Sequence, residues 1–159
     1  MVRKTEPSND PVVLIDTREQ APWTFTLATE AATLDTGDYS IKGLERLIAV
    51  ERKSLGDLLG CVGRHRDCFK RELQRMRGYR FRALIIEATL AELDEGNWRG
   101  LLKPSHVLGS LAAWQAQYSL PILLAGDRHL AAAFAERYLF QCARALSQEH
   151  TAVSVFVKA

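Results

Sequence analysis

The chain has 159 residues, 47% of them hydrophobic and 25% charged, which is the balance of one ordinary globular domain and excludes a wholly disordered chain. A net charge of +2 excludes a protein that grips nucleic acid through bulk charge, so any such contact has to come from a local patch. Cys61, Cys68 and Cys142 form no even framework and no apolar run nears the roughly 20 residues of a membrane span, so the expected setting is soluble, intracellular and reducing, with no membrane partner.

Residues 1–10 are polar, lack the apolar stretch of a signal peptide, and read as a flexible segment ahead of one domain over residues 11–159. Pro11-Val12-Val13-Leu14-Ile15 is apolar on both faces, as a buried central strand is, and ends in the charged run Asp16-Thr17-Arg18-Glu19. Residues 20–34 are mixed and read as loop. Residues 37–41 and 47–51 read as two strands joined by a hairpin turn over residues 42–46. From Leu55 to Met76, apolar residues recur at three- and four-residue steps, which predicts an amphipathic helix with a break at Gly60 or Gly63. Residues 82–87 predict a strand, 90–94 a short helix, and Ser105 a cap for a helix carrying Val107, Leu111, Trp114 and Tyr118. Residues 121–125 predict a strand, Asp127 a cap, and 129–146 a long helix that is apolar around much of its circumference. Val153, Val155 and Val157 alternate with other residues and predict an edge strand. Strands alternating with helices in this way give an α/β domain built on a central sheet.

If the hairpin is symmetric about its turn, Asp38 and Glu51 face each other, with Cβ atoms roughly 5 Å apart. Two bare carboxylates that close repel unless a proton or a cation lies between them. A hard divalent ion resolves the conflict, since Mg²⁺ favours a few carboxylates together with waters and a phosphate oxygen. Lys53, two residues beyond Glu51, projects from the same strand face and places an ammonium beside that ion. Asp16 can supply a third carboxylate, and Arg18 can clamp a phosphate through its fork of donors.

The segments Leu14-Ile15-Asp16-Thr17-Arg18-Glu19, Gly37-Asp38-Tyr39 and Val50-Glu51-Arg52-Lys53-Ser54-Leu55-Gly56-Asp57 resemble the ERCC4-type nuclease domain of the XPF/MUS81 family. The family signature is a Gly-Asp followed by Glu-Arg-Lys and, after three intervening residues, an Asp, and each of those letters is present in order. The resemblance is close from about Pro11 to Glu87 and weaker to about Leu146. It implies a restriction-endonuclease-like fold, with a central mixed sheet flanked by helices, and Mg²⁺- or Mn²⁺-dependent hydrolysis of DNA phosphodiester bonds, commonly at branched or flap DNA. The catalytic residues it implies are Asp16, Arg18, Asp38, Glu51, Arg52, Lys53 and Asp57, with Asp16, Asp38 and Glu51 around the metal ion and Asp57 orienting Lys53 or Arg18. Eukaryotic and archaeal members carry a helix-hairpin-helix domain after the nuclease domain. The 159 residues leave no room for one, so the expectation is a stand-alone form, in the cytoplasm of a prokaryote rather than in a nucleus, acting as a homodimer or with a partner subunit that supplies DNA recognition.

Between Arg64 and Arg82 eight basic residues meet only Asp67 and Glu72, a local charge of +6 that leaves the rest of the chain at −4. Arg64, Arg66, Lys70, Arg71 and Arg75 are the expected DNA-backbone contacts, with positions 64, 71, 75 and 82 along one helical stripe. Cys61, His65 and Cys68 share a helical face but have no fourth ligand, so core thiols beside a histidine are expected rather than zinc. The rival reading is a non-catalytic DNA-binding or scaffold subunit, against which stands the complete set of signature residues.

Overall fold

The computed structural model describes residues 10–157, so all of the expected flexible segment except Asp10 lies outside the described residues. The apolar run after Pro11 forms β1 (Val13–Asp16). The segment expected to be loop contains a further strand, β2 (Thr29–Ala32), parallel to β1. β2 lies at the sheet edge with Thr29, Glu30 and Ala31 exposed, so no apolar alternation marks it in the sequence. The expected hairpin is present as β3 (Tyr39–Ile41) and β4 (Ile48–Ser54), antiparallel, with Tyr39 opposite Val50. β5 (Phe81–Glu87) and β6 (Ile122–Leu124) continue in parallel, giving a mixed sheet in the order β2-β1-β3-β4-β5-β6.

The two-residue period of the strands sorts side chains into two cores. On β5, Leu84 and Ile86 enter one core and Ala83 and Ile85 the other. The first core is closed by α1 (Leu55–Val62), α2 (Arg66–Met76), α3 (Leu90–Glu95) and α4 (Pro104–Tyr118), through Leu58, Phe69, Leu73, Leu93 and Trp114. The second is closed by α5 (Arg128–Val157), through Ala131, Ala135 and Leu139, and by Trp23, which stacks on Tyr39 with ring centroids 4.8 Å apart. The result is the expected α/β arrangement, a central mixed sheet with helices on both faces.

The single apolar periodicity from Leu55 to Met76 is carried by two helices. Ser54 caps α1 by accepting the Asp57 N–H, and Gly63 ends it by donating to the Leu59 carbonyl at 3.0 Å. α4 starts at Pro104, one residue before the expected Ser105 cap, because a proline at the first helical position needs no N–H partner. Asp127 accepts the Leu130 N–H at 2.8 Å, as expected of a cap. The expected edge strand over 153–157 is absent: α5 runs on past Leu146 to Val157, since no Gly or Pro interrupts the sequence after Gly126. Among the described residues no helix is long and apolar enough to cross a membrane.

Candidate active site

Side-chain alternation places the acidic residues before any contact is considered. Val13 and Ile15, Tyr39 and Ile41, and Ile48 and Val50 all face the α5 core. Asp16, Asp38 and Glu51 therefore lie on the opposite sheet face, at the same end of three neighbouring strands. The main chain ties them together, with the Asp16 N–H on the Asp38 carbonyl and the Asp38 N–H on the Val50 carbonyl, both at 2.8 Å. Gly37 makes this approach possible. Its φ is +79°, and a Cβ there would sit 3.0 Å from the Val50 carbonyl oxygen. Its N–H donates to Glu72 Oε1 at 3.0 Å, which fastens α2 to the loop carrying Asp38.

The carboxylates differ in what they hold. Asp16 is fully engaged: Oδ1 accepts from the Arg18 N–H at 2.9 Å and Arg18 Nε at 2.7 Å, and Oδ2 from the Leu34 N–H at 2.7 Å and from the Arg18 fork at 3.1 Å. Burial pushes its carboxyl up, but these donors outweigh that and hold it below its ordinary value. Asp38 Oδ2 accepts the Arg52 N–H at 2.8 Å, and Glu51 Oε1 accepts from Lys53. Among the described residues no hydrogen bond claims Asp38 Oδ1 or Glu51 Oε2. Burial, opposed by Lys53 and reinforced by the charge of Asp38, pushes Glu51 up to about 8, and burial, opposed by the Arg52 N–H and Lys53, pushes Asp38 up to about 6. Burial also works against the Lys53 ammonium, but Glu51 outweighs it and holds the lysine above its ordinary value.

The expected set of three metal carboxylates thus resolves into a facing pair and a neighbour. Among the described residues no three Asp, Glu, His or Cys side chains are gathered as a metal cage. Asp16 stands apart because its lone pairs are spent on Arg18 and Leu34. Asp38 and Glu51 fit a divalent ion by their donor chemistry: two hard oxygens without hydrogen-bond partners among the described residues, in carboxylates that burial disfavours as anions.

A cleft of about 420 Å³ opens here, lined by Arg18, Glu19, Asp38, Arg52, Lys53, Ser54 and Asp57 among others. Arg18 keeps two-thirds of its side chain in solvent while its fork is oriented by Asp16 and the Leu34 carbonyl. Asp57 engages Ser54, whose hydroxyl donates to it at 2.6 Å, so the expected contact with Lys53 or Arg18 is replaced by a helix cap. Arg52 projects to the opposite face from Glu51 and Lys53. It pairs with Glu87 and lies over the Trp23 ring, 6.0 Å from the centroid, whereas Lys53 lies over Phe69 at 4.9 Å.

The basic residues divide similarly. Arg64 lies in the turn between α1 and α2 and Arg82 on β5, so the expected stripe through 64, 71, 75 and 82 is not one helix face. Arg82 is bound to the Tyr79 and Ser119 carbonyls. Arg66 donates to Ser110 Oγ at 2.7 Å and lies over Trp114, which ties α2 to α4. Arg75 pairs with Glu72. Arg64 and Arg71 are exposed and Lys70 half-buried on the outer side of this region. Cys61 is buried and Cys68 exposed, and no zinc cluster forms among the described residues.

Sequence reasoning singled out the run ending in Glu19 without giving that residue a role, and missed Glu72 and Glu87. Glu87 carried a usable signal, a charge at the end of a buried strand, as at Asp16. Glu72 carried none, since it reads as one acid in a basic helix.

Compared with protein families, the chain matches the ERCC4 domain over residues 15–138. Among solved structures it is similar to XPF from Aeropyrum pernix, at 22% identity and a TM-score of 0.68, covering 89% of this chain and 69% of that one. It is also similar to XPF from Aeropyrum pernix in complex with DNA, at 21% identity and a TM-score of 0.66, covering 84% of this chain and 65% of that one. At these identities the likeness is one of fold. No curated protein matches the chain.

Proposed function

The chain belongs to the ERCC4 domain family, and from that membership and the geometry of the cleft we propose that it is a metal-dependent DNA endonuclease hydrolysing phosphodiester bonds. The observation that carries this reading is the facing pair Asp38 and Glu51, each with an unclaimed carboxylate oxygen, beside a lysine held in its charged form. Asp38 and Glu51 would hold Mg²⁺ or Mn²⁺, with Asp16 kept for orienting Arg18. When bound, the ion supplies a Lewis acid that polarises the scissile phosphate and acidifies water.

The chain's own residues do the rest. Lys53 is charged at all physiological pH, so it donates to the phosphate and offsets the charge that builds there; it does not abstract a proton. Arg18, pre-aimed by both oxygens of Asp16, presents its exposed edge to a second phosphate oxygen. Arg64, Lys70 and Arg71 hold the backbone of the DNA strand, and Arg75 joins them if it exchanges Glu72 for phosphate. The solved complex of XPF from Aeropyrum pernix with DNA supports DNA as the ligand. Branched or flap DNA is the preferred substrate in this reading. Leu130 and Phe134, exposed and one turn apart on α5, offer an apolar surface to a second copy or a partner subunit.

Incubating the protein with duplex, flap, fork and single-stranded DNA, in Mg²⁺, in Mn²⁺ and in chelator, tests this. Cleavage that needs the metal is the expected result. Binding of DNA with no cleavage in either metal overturns it in favour of a non-catalytic DNA-binding or scaffold subunit.

A further inference from the structure

Glu87 ends β5, one parallel strand away from Arg52, and its side chain points to the same sheet face as Ala83 and Ile85. It grips Arg52 with both oxygens: Oε1 accepts from Nε at 2.7 Å and Oε2 from the guanidinium fork at 3.1 Å. Oε1 also accepts the Trp23 Nε1–H at 2.7 Å and a long contact from Arg128 at 3.5 Å. Arg128 in turn donates to the Pro22 carbonyl at 2.5 Å and the Ala21 carbonyl at 2.7 Å. Glu87 is therefore the point where β4, α5 and the segment before Trp23 meet.

Arg52 is the residue whose two ends serve different sides of the strand. Its backbone N–H fixes Asp38 Oδ2 at 2.8 Å, while its side chain, 9% exposed, carries the guanidinium the other way. Its second acid partner, Glu19, accepts one long bond at 3.4 Å, against the two bonds that Glu87 makes. Arg52 and Asp38 line the same cleft, and Asp38 Oδ1 is unclaimed. A buried guanidinium deprived of Glu87 keeps, among the described residues, only the one long bond to Glu19, and the unclaimed oxygen of Asp38 lies in the cleft that both residues line.

We propose that Glu87 is a positioning residue that keeps the Arg52 guanidinium on the Trp23 side of β4, so that the free oxygens of Asp38 and Glu51 are left to a divalent cation. The proposal rests on the reading of the cleft as a metal-dependent nuclease site. Glu87 touches neither substrate nor ion; it acts through Arg52.

The test is calorimetric titration of the DNA-free protein with Mn²⁺, comparing wild type, E87Q, E87D, R52Q and the double variant R52Q/E87Q. E87Q is expected to raise the Mn²⁺ dissociation constant on the order of tenfold or more, the usual cost of losing a residue that orients a metal site from behind. E87D, which keeps the charge but withdraws it by one methylene, should fall between, and it carries the comparison if E87Q does not fold. In the R52Q background, E87Q should weaken Mn²⁺ binding no further, because the competing guanidinium is gone. Wild-type affinity in both E87Q and E87D overturns the proposal, as does equal weakening of wild type and R52Q by E87Q. Wild-type protein that neither binds Mn²⁺ nor cleaves DNA overturns the nuclease reading, and the proposal falls with it.

Discussion

Adjacent cations on β4 do different work because a strand sends neighbours to opposite faces: Lys53 meets Glu51 and Phe69, and Arg52 meets Glu87 and Trp23. Lys53→Ala and Asp38→Asn are each expected to lower cleavage on the order of a hundredfold or more while circular dichroism and the melting temperature show the fold intact. A variant that cleaves at the wild-type rate would remove its residue from the site. Asp38, Glu51 and Lys53 were legible in the sequence because hairpin symmetry and a two-residue step fix their common face without any tertiary knowledge. Glu72 and Glu87 were not, because each meets its partner, Gly37 or Arg52, across 35 residues of chain. The engagement of Asp16 was equally hidden, since the Leu34 N–H comes from a loop with no periodicity of its own.

At the scale of elements, α2 carries both Arg66, which ties it to α4, and, five residues on, Arg71, which the proposed function assigns to DNA. Arg71→Ala should weaken DNA binding at every sequence and lower the salt dependence of the affinity by about one unit of slope, measured across a salt series. Arg66→Ala should instead lower folding stability by about 1–2 kcal/mol in denaturant titration, because it removes the Ser110 bond and the Trp114 contact. Gly37→Ala should cost roughly 1–3 kcal/mol by the same measurement, from its left-handed backbone and the approach to Val50. Elements with apolar periodicity, such as β1, β4, β5 and α1 to α2, could be read directly. β2 could not, as an exposed edge, and the tail of α5 misled because five alternating residues mimic a strand when their helical context is ignored.

For the whole molecule, the buried acid pair sets how stability responds to pH. Folded protein keeps protons on Asp38 up to about pH 6 and on Glu51 up to about pH 8, whereas the unfolded chain releases them near 3.8 and 4.5. Between those limits the folded state binds more protons, so stability falls as pH rises. Lys53 remains charged throughout, and Asp16 and Glu87, held below their ordinary values, act in the opposite sense only under the ordinary carboxylate range. In chelator, the melting temperature should therefore be lower at pH 8 than at pH 5, and added Mg²⁺ should raise it more at pH 8; a flat or rising profile would remove the acid pair as its source. The strict alternation along β4 has one more effect. A single residue inserted after Val50 would exchange the two sides of the strand beyond it, sending the glutamate and the lysine to the Trp23 side and the arginine to the side of Asp38, and a second inserted residue would restore the sides but leave the glutamate two positions out of step with Asp38.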